Sequence, residues 1–278
     1  MKSTIKRGWR RLAARQSFRK INELMFDCAI AGLGILNYEN EYWSGEKFFS
    51  EKLLPLYLTA PNPVLMDVGG NTGDYTKMLK TAVPESTVWT FEPNPKTFAK
   101  MSEEIADLGA HAINKGLGSE EGILKFYDRK DQASSSQHGS LYREVIEELH
   151  RVDSEEMEVS ITTLDKFCEA NSIERINLLK IDTEGHELEV LKGARGLIEA
   201  DKIDVLHIEF NEMNIVSRVF FRDLAKILPN HLPYRLLPQG AIPLSGSPLK
   251  TELFAFQNLI FVHRKFSPDK SMKPGKYA

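Results

Sequence analysis

Cysteine is nearly absent: Cys28 and Cys168 are the only two in 278 residues, far apart and outside any C-x-x-C pair. This excludes a disulfide framework and a thiolate zinc site, and it is the usage expected in a reducing compartment. A net basic charge is also missing, since 36 Lys and Arg face 39 Asp and Glu for a formal charge of −3. No overall field is therefore available to hold nucleic acid. The apolar run Cys28–Leu36 is too short to span a bilayer. It contains two glycines, comes late and is followed by no small-residue cleavage pattern, so it does not read as a secretory signal either. There is no internal repeat and no G-x-G-x-x-G dinucleotide fingerprint. What remains is 42% hydrophobic residues, ample core for one large domain or a domain with an extension.

The most informative stretch is Val64-Leu65-Met66-Asp67-Val68-Gly69-Gly70-Asn71-Thr72-Gly73. It reads as a short buried strand ending in an acid, then a glycine turn, with a helix starting near Tyr75. Glycine lets the backbone approach a ligand, and the first helical N–H groups offer donors. A second strand, Thr87–Phe91, ends in Glu92, about 19 residues past Gly73 and placed to bind the two hydroxyls of a ribose. Asp67 would repel a pyrophosphate but attract the ammonium of an amino acid. S-adenosylmethionine carries both that ammonium and an adenosine ribose.

Strand and helix patterns then alternate. Pro95–Leu108 has helical spacing, a third strand is expected near Ala110–Asn114, and Gly116-Leu117-Gly118 is expected to turn the chain where an adenine could rest. Ile123–Tyr127 and Glu158–Thr162 read as extended, Leu164–Asn171 as a short helix, and the serine-rich Asp131–Ser140 as a loop. Ile176–Ile181 is a buried strand that runs into Asp182-Thr183-Glu184-Gly185-His186-Glu187. The following strand, Asp204–Phe210, delivers Glu209 to the same edge. Ligands bind at the carboxyl ends of strands in an open parallel sheet, and carboxylates gathered there need a task or a partner. Glu189, by contrast, reads as a solvated charge near a helix N-terminus.

The ends of the chain differ in character. Lys2, Lys6, Arg7, Arg10, Arg11, Arg15, Arg19 and Lys20 occur within residues 1–20 without an acidic residue, interspersed with Ile5, Trp9, Leu12 and Phe18. This is either a basic amphipathic helix at an anionic membrane surface or acidic partner, or a helix packed by one side on the domain. Residues 37–54 are aromatic and polar, with a helix from about Ser44 to Leu54, and either fold over the cofactor cleft or pack on the sheet. Pro233–Leu237 and Asn258–His263 read as strands joined by a loop of about 20 residues.

Together these motifs resemble the FkbM-type S-adenosylmethionine-dependent methyltransferases. The resemblance rests on Asp67–Gly73, Phe91-Glu92-Pro93-Asn94-Pro95, Thr163-Leu164-Asp165, Leu179–Glu187 and Ile208-Glu209. The Lys-Ile-Asp-x-Glu-Gly-x-Glu run is its distinctive part. One departure is Gly70, where the family more often has alanine, and the family allows several residues at the position of His186. The resemblance implies an α/β class I methyltransferase fold, with a mostly parallel Rossmann-like sheet, an antiparallel last strand and helices on both faces. It also implies O-methylation of a hydroxyl on a sugar, glycan, glycolipid or polyketide-like acceptor. Expected organisation is an N-terminal helical extension over 1–55, the methyltransferase domain over 56–265 and a flexible tail over 266–278.

Asp67, Gly69, Asn71 and Gly73 are then expected to hold the methionine part of S-adenosylmethionine, Glu92 its ribose and Gly116 its adenine. Asp182 or Glu184 is the expected catalytic base, with Glu209 orienting and Lys180 keeping a carboxylate ionised. A metal is not expected, although Asp182, Glu184, His186 and Glu209 carry donors suited to Mg2+ or Mn2+. The expected location is cytoplasmic, with residues 1–20 able to contact the inner membrane surface. Two other readings compete: a non-catalytic S-adenosylmethionine-binding scaffold, and a nicotinamide oxidoreductase, which Asp67 disfavours.

Overall fold

The computed structural model describes residues 2–130 and 139–266. Residues 131–138 of the serine-rich loop and 267–278 of the expected tail lie outside the described residues. In chain order the strands are β1 (Val64–Val68), β2 (Thr87–Phe91), β3 (His111–Ile113), β4 (Gly116–Leu117), β5 (Gly122–Arg129), β6 (Ser154–Thr162), β7 (Ile176–Ile181), β8 (Ile203–Phe210), β9 (His231–Leu237), β10 (Gly240–Pro243) and β11 (Gln257–His263). Eight form the central sheet, in the order β10-β9-β11-β8-β7-β1-β2-β3. β1 lies parallel to β2 and β7, and β7 parallel to β8. β11 is antiparallel to both β8 and β9. The chain leaves β1 toward β2 and β3 and returns to β7 on the other side, so the crevice between β1 and β7 is the topological switch point where such sheets bind ligands.

Parallel strands buried on both faces read as continuous apolar runs, and β1 and β7 do so apart from Asp67, Asn177 and Lys180. Side chains alternate across the sheet. Met66, Val68, Leu179, Ile181, Leu206 and Ile208 enter one core cluster. Leu65, Leu178 and Val205 enter the other, together with Phe49 and Leu54. Helices flank the sheet where their caps allow. The helix Pro95–Ile105 begins with proline at its first position and with Asn94 accepting from the Lys96 N–H at 3.0 Å. Leu164–Ala170 is capped in the same way by Thr163.

Three expectations change. Gly116-Leu117 is not a turn but β4, which pairs in parallel with β6 in a second sheet of order β4-β6-β5. The β5–β6 hairpin has eight paired positions, and it draws the chain after β3 into a ladder that local glycine content does not reveal. The connection after β9 is not one open loop, since Gly240 folds back as β10 and Pro248–Thr251 forms a helical turn. Residues 44–56 do not form one regular α-helix. They run as Glu46–Phe48, a wide turn Phe49–Leu53 and a tight turn Leu54–Leu56, with Pro55 in the tight turn. This segment touches both the core and a cleft. Phe49 and Leu54 are fully buried in the core, while Ser44, Glu46, Lys47 and Glu51 line a cleft at the sheet edge.

Candidate active site

Strand register assembles the polar cluster. Asp67 lies beside Lys180 across β1 and β7, Lys180 beside His207 across β7 and β8, and Glu209 beside Asn258 across β8 and β11. Alternation places Asp67, Lys180, His207 and Glu209 on the face that carries Leu65, Leu178 and Val205. Residues 44–56 cover this face. Lys180 is 2% exposed, and its Nζ lies 3.6 Å from Asp182 Oδ2 and 3.6 Å from Glu46 Oε1. It also sits 5.4 Å over the Tyr75 ring. Burial opposes its charge, but Asp182, Glu46, Glu209 and Asp67 outweigh that and hold Lys180 above the ordinary lysine range. Burial foremost, then Asp182, lifts the Glu209 carboxyl well above the usual carboxylate range, against the pull of Lys180. Asn211 Nδ2 donates to Glu209 Oε1 at 2.8 Å.

Asp67 is buried and accepts from Thr76 Oγ1 at 2.8 Å. Burial raises its carboxyl to about 6, with the Thr76 bond and Lys180 resisting. His207 is held neutral by burial and by the Lys180 charge. Its Nε2 faces Asn258 Oδ1 at 2.9 Å, and Asn258 Nδ2 donates to the Ser44 carbonyl. The Nε2 nitrogen therefore carries the proton, and Nδ1 accepts from the Tyr75 hydroxyl at 2.7 Å. This chain of bonds ties the N-terminal segment to the sheet beneath the cluster.

On the other side of the switch point a second cavity opens. Glu92 lines it, Oε2 accepting from the Asn71 N–H at 3.1 Å and Oε1 from the Asn94 N–H at 2.8 Å. Burial pushes the Glu92 carboxyl up to about 8 in spite of these donors. Pro93, Gly116, Leu117, Phe126 and Ile161 make the apolar walls. A Cβ on Gly116 would lie 2.6 Å from Ile161 Cδ1, so glycine keeps this wall flat. His186 also lines the cavity, and burial lowers its imidazole to about 4. A neutral ring there shapes the wall without adding charge.

The turn between the cavities requires its glycines. Gly69 has φ +86, and a Cβ there would lie 1.8 Å from the Asp182 carbonyl oxygen. At Gly70 a Cβ would lie 2.2 Å from Thr90 Cγ2, so the neighbouring threonine explains why alanine is not used in this chain. Gly73 lines neither cavity. It closes the turn by donating to the Gly70 carbonyl at 2.7 Å, and it precedes the helix Asp74–Ala82.

The loop after β7 is braced from inside. Glu187 is buried. It accepts from the N–H and Oγ1 of Thr183, from the Gly185 N–H and from Asn214 Nδ2, at 2.8–3.2 Å. Glu189 stays partly exposed and pairs with Lys192. Glu184 adopts a left-handed φ of +52, with its carbonyl accepting from Ser140 Oγ. Asp182 and Glu184 are both half-buried and line both cavities. The structure brings Asp67, Gly69, Asn71, Lys180, Asp182, Glu184 and Glu209 into one cleft of about 1000 Å3, while Glu92 and Gly116 lie in the adjoining cavity. Sequence reasoning missed Glu46, Tyr75, His207 and Asn258. Strand alternation would have found His207 beside Lys180, but nothing local in the sequence announces Glu46.

A switch-point crevice with an acid in β1, a second acid just past β2 and an antiparallel β11 inserted beside β8 matches the class I methyltransferase fold. Residues 67–236 match the model of the Methyltransferase FkbM domain. The chain belongs to this family of S-adenosylmethionine-dependent methyltransferases. It is similar to Methyltransferase 1 of Beauveria bassiana, 33% identical over 49% of this chain and 61% of that protein. It is also similar to the hexuronic acid methyltransferase AglP of Haloferax volcanii, 29% identical over 59% of this chain and 61% of that protein. A third relative is the 2-O-methyltransferase NoeI of Sinorhizobium fredii, 22% identical over 66% of this chain and 78% of that protein. The chain spans about three fifths of the length of the first two.

Proposed function

We propose that this protein moves a methyl group from S-adenosylmethionine to a hydroxyl of a sugar, glycan, glycolipid or polyketide-like acceptor. The observation that carries this reading is the junction: Gly69, Asn71, Asp182 and Glu184 line both cavities. A group held between the two is therefore reached by carboxylates and by an occupant of the wide cleft. The relatives named for 2-O-methylation and for hexuronic acid methylation favour a sugar among the acceptors.

The residues present fit the donor. Each Glu92 oxygen accepts one backbone N–H and keeps a second lone pair for a ribose hydroxyl. Gly116 leaves room for a flat base, and Asp67 and the Gly69–Asn71 backbone offer a negative and close-fitting seat for the amino-acid end. When bound, S-adenosylmethionine supplies a methyl already activated on a sulfonium. The protein must then align the acceptor oxygen and remove its proton, because an alcohol is a poor nucleophile near neutral pH. Asp182 is the base in this scheme, held at the junction by Lys180, with Glu184 beside it as the second carboxylate. Glu209, biased toward its protonated form, donates a hydrogen bond that orients the acceptor.

The test is transfer of labelled methyl from S-adenosylmethionine to a panel of neutral and uronic-acid glycans. Label that resists mild alkali is an ether on a hydroxyl, whereas label released by alkali is an ester on a carboxylate and would overturn the hydroxyl assignment. Asp182→Asn should bind S-adenosylhomocysteine as the parent does and lose about a hundredfold or more in kcat.

A further inference from the structure

The first 36 residues form a feature that the methyl-transfer site does not use. Helix α1 (Lys2–Ala13) and helix α2 (Arg19–Ala31) make a hairpin. Residues 3–12 are all exposed, and only Ala13 is buried. α1 leans on α2 through Asn22, whose Nδ2 donates to the Ala13 carbonyl at 2.8 Å and whose Oδ1 accepts from Trp9 Nε1 at 3.2 Å. It is not packed by one side on the domain.

The hairpin is apolar where a water-facing element should be polar. At three- and four-residue steps, Ile5, Trp9 and Leu12 share one side of α1, and Lys6, Arg7, Arg10 and Arg11 fill the other. Ile21, Leu24, Met25 and Cys28 share one side of α2. Ile5, Leu24 and Phe26 are each more than 60% exposed. Among the described residues, Lys6, Arg7, Arg10, Arg11 and Arg15 form no ion pair, while Arg19 is paired with Glu23.

We infer that this hairpin docks the protein on an anionic lipid bilayer. Charge complementarity selects that occupant. Unpaired cations beside an exposed apolar stripe match a surface that offers negative headgroups over hydrocarbon, whereas a second copy of the hairpin would bring like charges together. The hairpin joins the domain beside β9 and the start of β11. Gly34 sits so close to β9 that a Cβ would lie 2.2 Å from the Leu236 carbonyl oxygen, and the Leu36 N–H donates to the Phe256 carbonyl at 2.8 Å. Tyr38 then meets Phe256 edge-on, and both rings line the wide cleft.

Flotation of the full chain tests this, using vesicles of equal parts phosphatidylglycerol and phosphatidylcholine against vesicles of phosphatidylcholine alone. The protein should float with the anionic vesicles and not with the neutral ones, and added salt should release it. Each basic side chain near such a surface changes partitioning about fivefold, so R7Q/R10Q/R11Q should lower it on the order of a hundredfold. Trp9→Ser with Leu12→Ser should lose binding as well. Both variants should keep the parent's thermal protection by S-adenosylhomocysteine, which shows that the domain is folded. Equal flotation of parent and variants, or no flotation of the parent, would overturn the inference. So would sedimentation that shows a dimer, lost in the same variants, without lipid binding. No arm depends on turnover, so the outcome stands apart from the methyl-transfer reading.

Discussion

Glu92 gives a signed test of how this site trades stability for ligand binding. In the cofactor-free protein, burial lifts its carboxyl from 4.5 to about 8. The folded value lies above the unfolded one, so the folded state keeps the proton through that window. The associated stability is fully present below pH 4.5 and is lost as pH rises through about 8. With about 1.4 kcal/mol per pH unit, the ionised group costs the fold about 1 kcal/mol at pH 5 and about 4 kcal/mol at pH 8.

Glu92→Gln removes the charge but turns an amide NH2 toward one of the two backbone N–H donors, from Asn71 and Asn94. Leaving one of these without an acceptor costs about 2 kcal/mol at every pH. The variant should therefore be less stable than the parent by about 1 kcal/mol at pH 5 and more stable by about 2 kcal/mol at pH 8, crossing near pH 6. Urea unfolding of both proteins without ligand over this range measures the difference directly, and other titrating groups cancel. A constant offset between the two proteins across the range would refute the reasoning, because Glu92 would then titrate like an exposed carboxylate. The same variant should bind S-adenosylhomocysteine about ten- to a hundredfold more weakly, since an amide NH2 replaces one of the two oxygens that would meet the ribose hydroxyls.

Gly69→Ala puts a methyl 1.8 Å from the Asp182 carbonyl oxygen at φ +86, so the turn and the β7 end must part. A loss of at least ~2 kcal/mol in urea unfolding is expected, with weaker S-adenosylhomocysteine binding by calorimetry. Glu46→Gln leaves Lys180 ion-paired to Asp182 alone and draws that carboxylate away from the junction. Its kcat should fall about tenfold, or ~1.4 kcal/mol, with donor affinity unchanged; a parent-like kcat would remove Glu46 from the site.

Much of the sheet was legible because each strand carries its own signal. Ile176–Ile181 is apolar throughout apart from Asn177 and Lys180, and its observed bounds equal those expected. Asn94 and Thr163 mark helix starts by residue type and do cap them. Legibility failed where a segment takes its form from a distant partner. Gly116-Leu117 looks like a turn until β6, more than 40 residues on, supplies a ladder. Glu187 is placed at the end of β7 by its sequence, but its enclosure by Asn214 and the Thr183–Gly185 backbone depends on contacts the spacing does not show.

The candidate site divides along the same line. Asp67, the glycine turn, Glu92 and the Lys180–Glu187 run could be placed at strand ends from sequence alone, because apolar periodicity locates strands and an acid or glycine that breaks it locates their ends. Those local patterns determined the fold class, the donor and the family. Only the tertiary structure decided that Glu46 from outside the matched domain meets Lys180, that His207 joins Tyr75 and Asn258, and that two cavities share a wall at Asp182 and Glu184. Such facts depend on which strands become neighbours and on what covers each face, and neither is written in the spacing of residues along one chain.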